Sequence, residues 1–217
     1  MSVATAAAEL GRPLRSDAER NRIRLLSCAL EAFAELGLEA SVDEIARRAE
    51  VGVGTLYRRF PTKQALLDAL ADGLIDHVVE LLARAGAEPA GFGFEHYVTA
   101  FAAVIAKHGP ALAPILGGEG PSARLRREVE PAVRRLMGAA QEAGRLRRDV
   151  TYADFVVMLW SLSGAVQSTR DVAPEAWKRH LAVLLSGLRP PADGATLPGT
   201  GLTRTQLDQA TALRRTR

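Results

Sequence analysis

The stretch Ser41-Val-Asp-Glu-Ile-Ala-Arg-Arg-Ala-Glu-Val-Gly-Val-Gly-Thr-Leu-Tyr-Arg-Arg-Phe-Pro-Thr-Lys63 decides the fold of this 217-residue chain. Ser41 with Glu44 three positions on is the pattern of a capping box, and it opens a short helix of about two turns. Its apolar residues are Val42, Ile45, Ala46 and Ala49. Glu50 to Val53 supplies a tight turn. Thr55-Leu-Tyr-Arg-Arg-Phe60 reads as a second short helix, stopped by Pro61 because a residue preceding proline is driven out of the helical region. Two short helices joined by a few residues, with an amphipathic helix ahead of them, form a helix-turn-helix pattern. Ala46 is small enough to let the pair approach, and Ile45, Ala49, Val51 and Leu56 fill the wedge between them.

The polar residues of the second helix fall on the other side. Leu56 and Phe60 are four apart and point inward, which leaves Thr55, Arg58 and Arg59 outward and Tyr57 at the boundary. Hydroxyls, guanidinium groups and a phenol bond phosphate oxygens and base edges. Thr62 caps a long following helix, and Lys63 sits in its first turn, where unpaired N–H groups and the positive dipole end favour a phosphate. Each residue also has an ordinary structural role: Tyr57 as packing, Arg58 and Arg59 as a solvated face, Ser41 as a cap. Their coincidence at three helix starts is what points to nucleic acid.

Outward from this segment the chain reads as all-α, with about nine helices, because no stretch alternates β-branched or aromatic residues with a period of two. Residues 1–15, broken by Gly11 and Pro13, are expected to be a flexible arm, and the first helix is expected from Ser16 or Asp17 with Ile23, Leu26, Leu30 and Phe33 on one face and Gly37 as its stop. The long helix from Thr62 to about Ala85 carries Leu66, Leu67, Leu70, Leu74, Val78 and Leu81 in one stripe. Further helices are expected at Phe94 to His108, in a short piece framed by Pro110 and Pro114, at Ser122 to Ala143, at Tyr152 to Asp171 and at Pro174 to Ser186. The domains expected are a helix-turn-helix domain over 16–63 and a helical bundle over 64–188. A basic tail over 189–217 is expected to be disordered, apart from a short helix near Thr205 to Leu213.

Composition limits the function classes. A content of 47% hydrophobic and 24% charged residues is that of an ordinary globular protein. The formal charge of +3 hides an uneven distribution. Met1 to Ser186 holds 23 basic and 23 acidic residues, whereas Gly187 to Arg217 holds 5 and 2, so any nucleic-acid surface in the body must come from local segregation of charge. A single cysteine, Cys28, excludes an intrachain disulfide and a Cys-rich zinc site, and a small buried hydrophobe is its simplest role. No apolar run reaches the roughly 20 residues of a membrane helix, and the first residues lack the apolar core of a signal peptide, so a cytoplasmic protein without a membrane partner is expected.

The segment from about Arg20 to Leu70, with its Thr55-Leu-Tyr-x-x-Phe-x-x-Lys63 core, resembles the DNA-binding signature of TetR-family transcriptional regulators. The resemblance implies a homodimeric repressor that reads a palindromic operator on double-stranded DNA and is released by a small-molecule effector bound in a helical C-terminal domain. By position it implies that Val53, Gly54 and Thr55 face bases, that Tyr57, Arg58, Arg59 and Lys63 hold backbone, and that Ser41 adds a phosphate contact. Three residues depart from the usual pattern. Glu50 stands where glycine is common, so either a left-handed backbone there costs about 1 kcal/mol or the turn differs slightly. Gly52 stands where a serine cap is common, and Arg59 replaces a frequent histidine.

The helix from Tyr152 to Asp171 is apolar almost all round, which requires burial on several sides. With the helix that follows, it is expected to pair with a twofold mate through Phe155, Leu159, Leu162, Val166, Trp177, Leu181 and Leu184; a central position in a monomeric core is the alternative. Two recognition helices about 34 Å apart would match successive major grooves, an independent reason for a dimer. For an effector pocket the best placed residues are Tyr97, Phe101, His108, Met158, Trp160 and Gln167. No catalytic residues, metal ligands or cofactor are expected. His77, His96, His108 and His180 lack ligand spacing, and there is no Walker loop, GxGxxG after a strand, HExxH or GxSxG. An enzyme without recognisable motifs and a purely helical interaction or scaffold protein are the rival classes.

Overall fold

A computed structural model describes residues 21–116 and 118–215. The expected arm and the start of the first helix lie outside the described residues. All regular structure among the described residues is helical, as expected for an all-α chain. The chain divides into two compact units, Met1–Leu70 and Ala71–Arg217.

In the first unit, helix α1 covers 21–36 and continues into a 3-10 turn, Gly37–Glu39. It buries Leu25, Ala29, Ala32 and Phe33, so the inward face is turned relative to the stripe expected from sequence, and Ile23 lies exposed. Helices α2 (Val42–Arg48) and α3 (Val53–Arg59) follow, and α4 starts at Lys63. Ile45, Ala46, Ala49 and Leu56 are fully buried between them, and Phe60 closes the end. This is the wedge the spacing anticipates, except that Val51 is only half-buried.

The second unit contains the rest of α4 (Lys63–Gly86), α5 (Gly93–Leu116), α6 (Glu119–Arg124), α7 (Glu130–Glu142), α8 (Tyr152–Thr169), α9 (Ala176–Gly187) and α10 (Arg204–Arg215). Helix α5 runs without a break through the positions expected to hold a separate short helix. Two internal prolines, Pro110 and Pro114, each cost about 3 kcal/mol, and burial of Ala111, Leu112 and Ile115 on this last stretch opposes that cost. A π-helical turn, Leu125–Val129, joins α6 to α7 in place of the uniform helix expected there. Pro131 explains it: without an N–H it cannot bond the carbonyl four residues back, and Glu130 N–H instead closes a wider turn on Leu125. Arg124 fastens this turn to α4 through Asp72 and Asp76 and to Glu128.

Gly93 opens α5 where a side chain has no room, since a Cβ there would stand 2.2 Å from the Ala85 carbonyl oxygen. The start of α8 is fixed by a complete capping box between Thr151 and Asp154.

The disordered tail expected from sequence is corrected by the structure. Beyond α9 the chain is held to its own unit: Arg147 donates to the Ala195 carbonyl, Leu197 N–H donates to Asp149, and Gly201 lies against Thr151. Asp149, bonded by Arg147 and by Leu197 N–H, has its carboxyl held far below the ordinary carboxylate range. Thr203 and Gln206 cap α10 reciprocally, and Leu207 is buried. A segment rich in proline and glycine can thus be ordered by a few specific anchors, which composition does not register.

Candidate functional site

The first candidate surface is built on α2 and α3. Ser41 caps α2 by accepting from Glu44 N–H at 3.1 Å. The Glu44 carboxylate does not complete the expected box; it accepts from Arg47 and Arg48 at 2.7–2.8 Å. Those two guanidinium groups lower its pKa to about 2. Arg48 is also paired with Glu35 at 2.7 Å. The two arginines of α2 are therefore tied to carboxylates, while Ser41 remains exposed.

The turn into α3 has the geometry its glutamate was expected to resist. Glu50 has φ +54°. Val51 N–H bonds the Ala46 carbonyl and Glu50 N–H the Arg47 carbonyl, the paired bonds of a Schellman ending. Gly52 caps α3 without a side-chain bond. On α3 itself Leu56 is 1% exposed and Tyr57 47% exposed, and Val53, Gly54, Thr55, Arg58 and Arg59 lie outward with Tyr57. Thr62 is exposed and accepts from Ala65 N–H at 3.0 Å, so it caps α4 as expected.

Lys63 differs from the others. Its ammonium group donates to the Leu38 carbonyl and sits 5.8 Å from the centre of the Phe33 ring, so it ties the start of α4 to α1. The sequence reading gave this residue a phosphate role alone. Cys28, on α1, is half-buried, and burial pushes its thiol above the ordinary range, with Glu31 adding to the shift.

The second unit contains a half-open cavity of about 290 Å³. Of the six residues expected to line it, Tyr97, Phe101 and Trp160 do. Tyr97 and Phe101 are stacked at 5.8 Å. Met158 is buried in the core instead, Gln167 is exposed, and His108 lies off the cavity wall. Burial, with Lys107 and His77 nearby, pushes His108 down to about 4, and its Nδ1 has no hydrogen-bond partner among the described residues.

Sequence reasoning missed the polar wall of this cavity. Glu130, 8% exposed, accepts from Arg134 and, across the chain, from Arg204 of α10. Tyr152 is pushed up to about 12 by burial first and by Glu130 second, and the Arg134 guanidinium lies 4.6 Å from its ring centre. Ser122, Arg126, Ser163, Asp208, Thr211 and Arg214 add to the polar lining. The sequence placed a short helix near Thr205 to Leu213, where α10 lies, but no local spacing signals that it meets Glu130.

Four of the residues expected in a dimer interface, Phe155, Leu162, Val166 and Leu181, are buried against their own chain, so they offer no surface to a second copy. Leu159, Trp177 and Leu184 are half-buried, and Leu159 lines the cavity. The outer stripe of α8 is instead Val157, Ser161, Gly164 and Ser168, spaced by three and four residues, and α9 exposes Ala182, Val183 and Ser186. Among the described residues no group of three His, Cys, Asp or Glu side chains could hold a metal ion, and no helix is long and apolar enough to cross a membrane.

A buried wedge of short helices with an outward row of hydroxyl, phenol and guanidinium groups defines a helix-turn-helix regulator of transcription. Comparison with known proteins carries this further. Residues 25–70 match the bacterial regulatory proteins of the tetR family, and residues 92–190 match the C-terminal domain of SbtR-like transcriptional regulators. A TetR transcriptional regulator from Streptomyces coelicolor is 31% identical, with a TM-score of 0.59 over 79% of this chain and 99% of that one. A TetR regulator from Mycobacterium vanbaalenii is 34% identical, with a TM-score of 0.56 over 82% of this chain and 99% of that one. The chain belongs to the TetR family of transcriptional regulators, which are DNA-binding regulators and not enzymes.

Other similarities are narrower. The HTH-type regulator YvdT of Bacillus subtilis is 36% identical over 58 residues, 26% of this chain and 30% of that protein. The match thus spans about a third of that relative's length. LfrR of Mycobacterium smegmatis, solved in complex with proflavine, shares the fold at 20% identity, with a TM-score of 0.60 over 83% of this chain and 99% of that one.

Proposed function

We propose that this protein is a cytoplasmic, ligand-responsive repressor that binds a palindromic DNA operator as a homodimer and is released when a small molecule occupies the cavity of the second unit. The observation that carries the DNA reading is the division of α3 into a buried side, Leu56 and Phe60, and an outward side of Thr55, Tyr57, Arg58 and Arg59. Val53, Gly54 and Thr55 read base edges. Tyr57, Arg58 and Arg59 hold phosphates, with Ser41, Thr62 and Lys63 at the flanks. The homodimer forms through the outer stripe of α8 and the exposed face of α9, where Gly164 and serines allow close approach and Val157 and Val183 supply apolar contact.

The effector reading is supported by the half-open, largely apolar cavity with aromatic walls. LfrR, which shares the fold, has been solved in complex with proflavine. Footprinting on the DNA upstream of the gene tests the whole proposal. Thr55→Ala and Tyr57→Ala should each weaken the specific footprint by roughly tenfold, about 1–2 kcal/mol, while the protein stays helical and dimeric. Unchanged footprints in both variants, or a monomer by light scattering, would refute it.

A further inference from the structure

The family match ends at residue 190, yet the cavity does not. Its wall continues through α10, which contributes Arg204, Leu207, Asp208, Thr211 and Arg214. The charges on this wall are unequally matched. Arg204 lies between two carboxylates, Glu130 at 2.8 Å and Asp208 at 3.1 Å, and Glu130 is also held by Arg134. Those four groups balance one another. Arg126 and Arg214 line the same cavity and have no carboxylate partner among the described residues. Arg214 is instead anchored over the Trp160 ring, 5.0 Å from its centre. Most of the remaining lining is hydrocarbon and aromatic: Phe101, Ile105, Leu112, Leu125, Val129 and Trp160.

A cavity of this kind favours a particular chemistry. Apolar and aromatic walls take up a hydrophobic body by excluding water, and a guanidinium without a carboxylate recognises an anion through charge-assisted hydrogen bonds. A cationic head would meet two unmatched positive charges and no unmatched negative one.

We propose that α10 completes the effector site, and that Arg214 and Arg126 receive the anionic head of an amphipathic effector whose ring-containing or aliphatic body lies against the aromatic wall. This rests on the cavity being the effector site, as argued above. The basic excess of the C-terminal segment then serves ligand recognition through α10, in addition to anchoring that helix on Glu130.

A matched set of probes of one shape tests the charge: 2-naphthoate, 2-naphthylmethanol and 2-naphthylmethylammonium, titrated calorimetrically into the full chain. Naphthoate should bind about tenfold more tightly than the alcohol, and the ammonium compound more weakly than either. Arg126→Ala and Arg214→Ala should each lower the ratio of naphthoate affinity to alcohol affinity. Hydrogen exchange of the α10 amides should slow when naphthoate binds. Equal affinity for the three probes, or a preference that survives both substitutions, overturns the assignment of the head group. Unchanged exchange in α10 overturns its place in the site. If none of the probes binds while operator binding is intact, the effector reading of the cavity fails, and this inference fails with it.

Discussion

Arg204 donates to the buried carboxylate of Glu130 at 2.8 Å across 74 positions of sequence, and this contact joins the C-terminal helix to the wall of the cavity. Arg204 is itself about half exposed, with a side-chain accessibility of 46%, so solvent screens much of the attraction. Arg204→Ala should therefore cost only about 1 kcal/mol globally, because Arg134 remains on Glu130. Its main effect should be local. Amide exchange should accelerate across α10 and remain unchanged in α5 and α8; exchange that accelerates equally in all three would contradict the local anchoring.

Glu50 holds a left-handed backbone at φ +54° with a side chain that gains little in return. Its contact with Arg24 is 3.9 Å long and fully solvated on the glutamate side. Glu50→Gly should raise the urea midpoint by an amount equivalent to about 1 kcal/mol without altering the turn. A fall in the midpoint would show that Glu50 contributes something beyond its backbone.

Lys63 carries a structural load that a residue reserved for DNA would not. Removing it leaves the Leu38 carbonyl without its ammonium donor and the Phe33 ring without its cation. Lys63→Ala should destabilise the protein by about 1 kcal/mol in urea titration in addition to weakening operator binding. Loss of DNA affinity with full stability would return Lys63 to a role in phosphate contact alone.

His108 makes stability fall in acid. Its folded-state value, about 4, lies below the ordinary 6.5 because burial disfavours the imidazolium. Between those two values the unfolded chain binds a proton that the folded chain does not, so the contribution is intact above about pH 6.5 and lost progressively as the pH falls towards 4. His108→Gln should flatten the dependence of the urea midpoint in that window. An identical pH profile for the variant would show that another group is responsible.

The helix-turn-helix was legible because its information is local. Capping residues, an apolar residue every three or four positions and a terminating proline all act within one or two turns, so the wedge of Ile45, Ala49 and Leu56 and the outward row from Thr55 to Arg59 could be written down from spacing. The strain at Glu50 was legible only against the family pattern, which commonly has glycine at that turn position.

In the second unit the sequence established helices but not their partners. Phe155, Leu162, Val166 and Leu181 are hydrophobic whether they face their own core or a second copy, and composition cannot separate the two; packing put them inside. Pro110 and the prolines of the C-terminal segment mark breaks in a local reading, whereas Pro131 falls inside a helix read as uniform. Burial carried α5 past Pro110, a π turn formed ahead of Pro131, and the tail was ordered by contacts with distant Asp149, Thr151 and Glu130. What the sequence by itself determined was an all-α regulator with a helix-turn-helix. The tertiary structure alone decided which charges meet: the pairing of Glu130 with Arg204, and the arrival of Arg214 over Trp160, depend on approaches between distant segments that no local periodicity encodes.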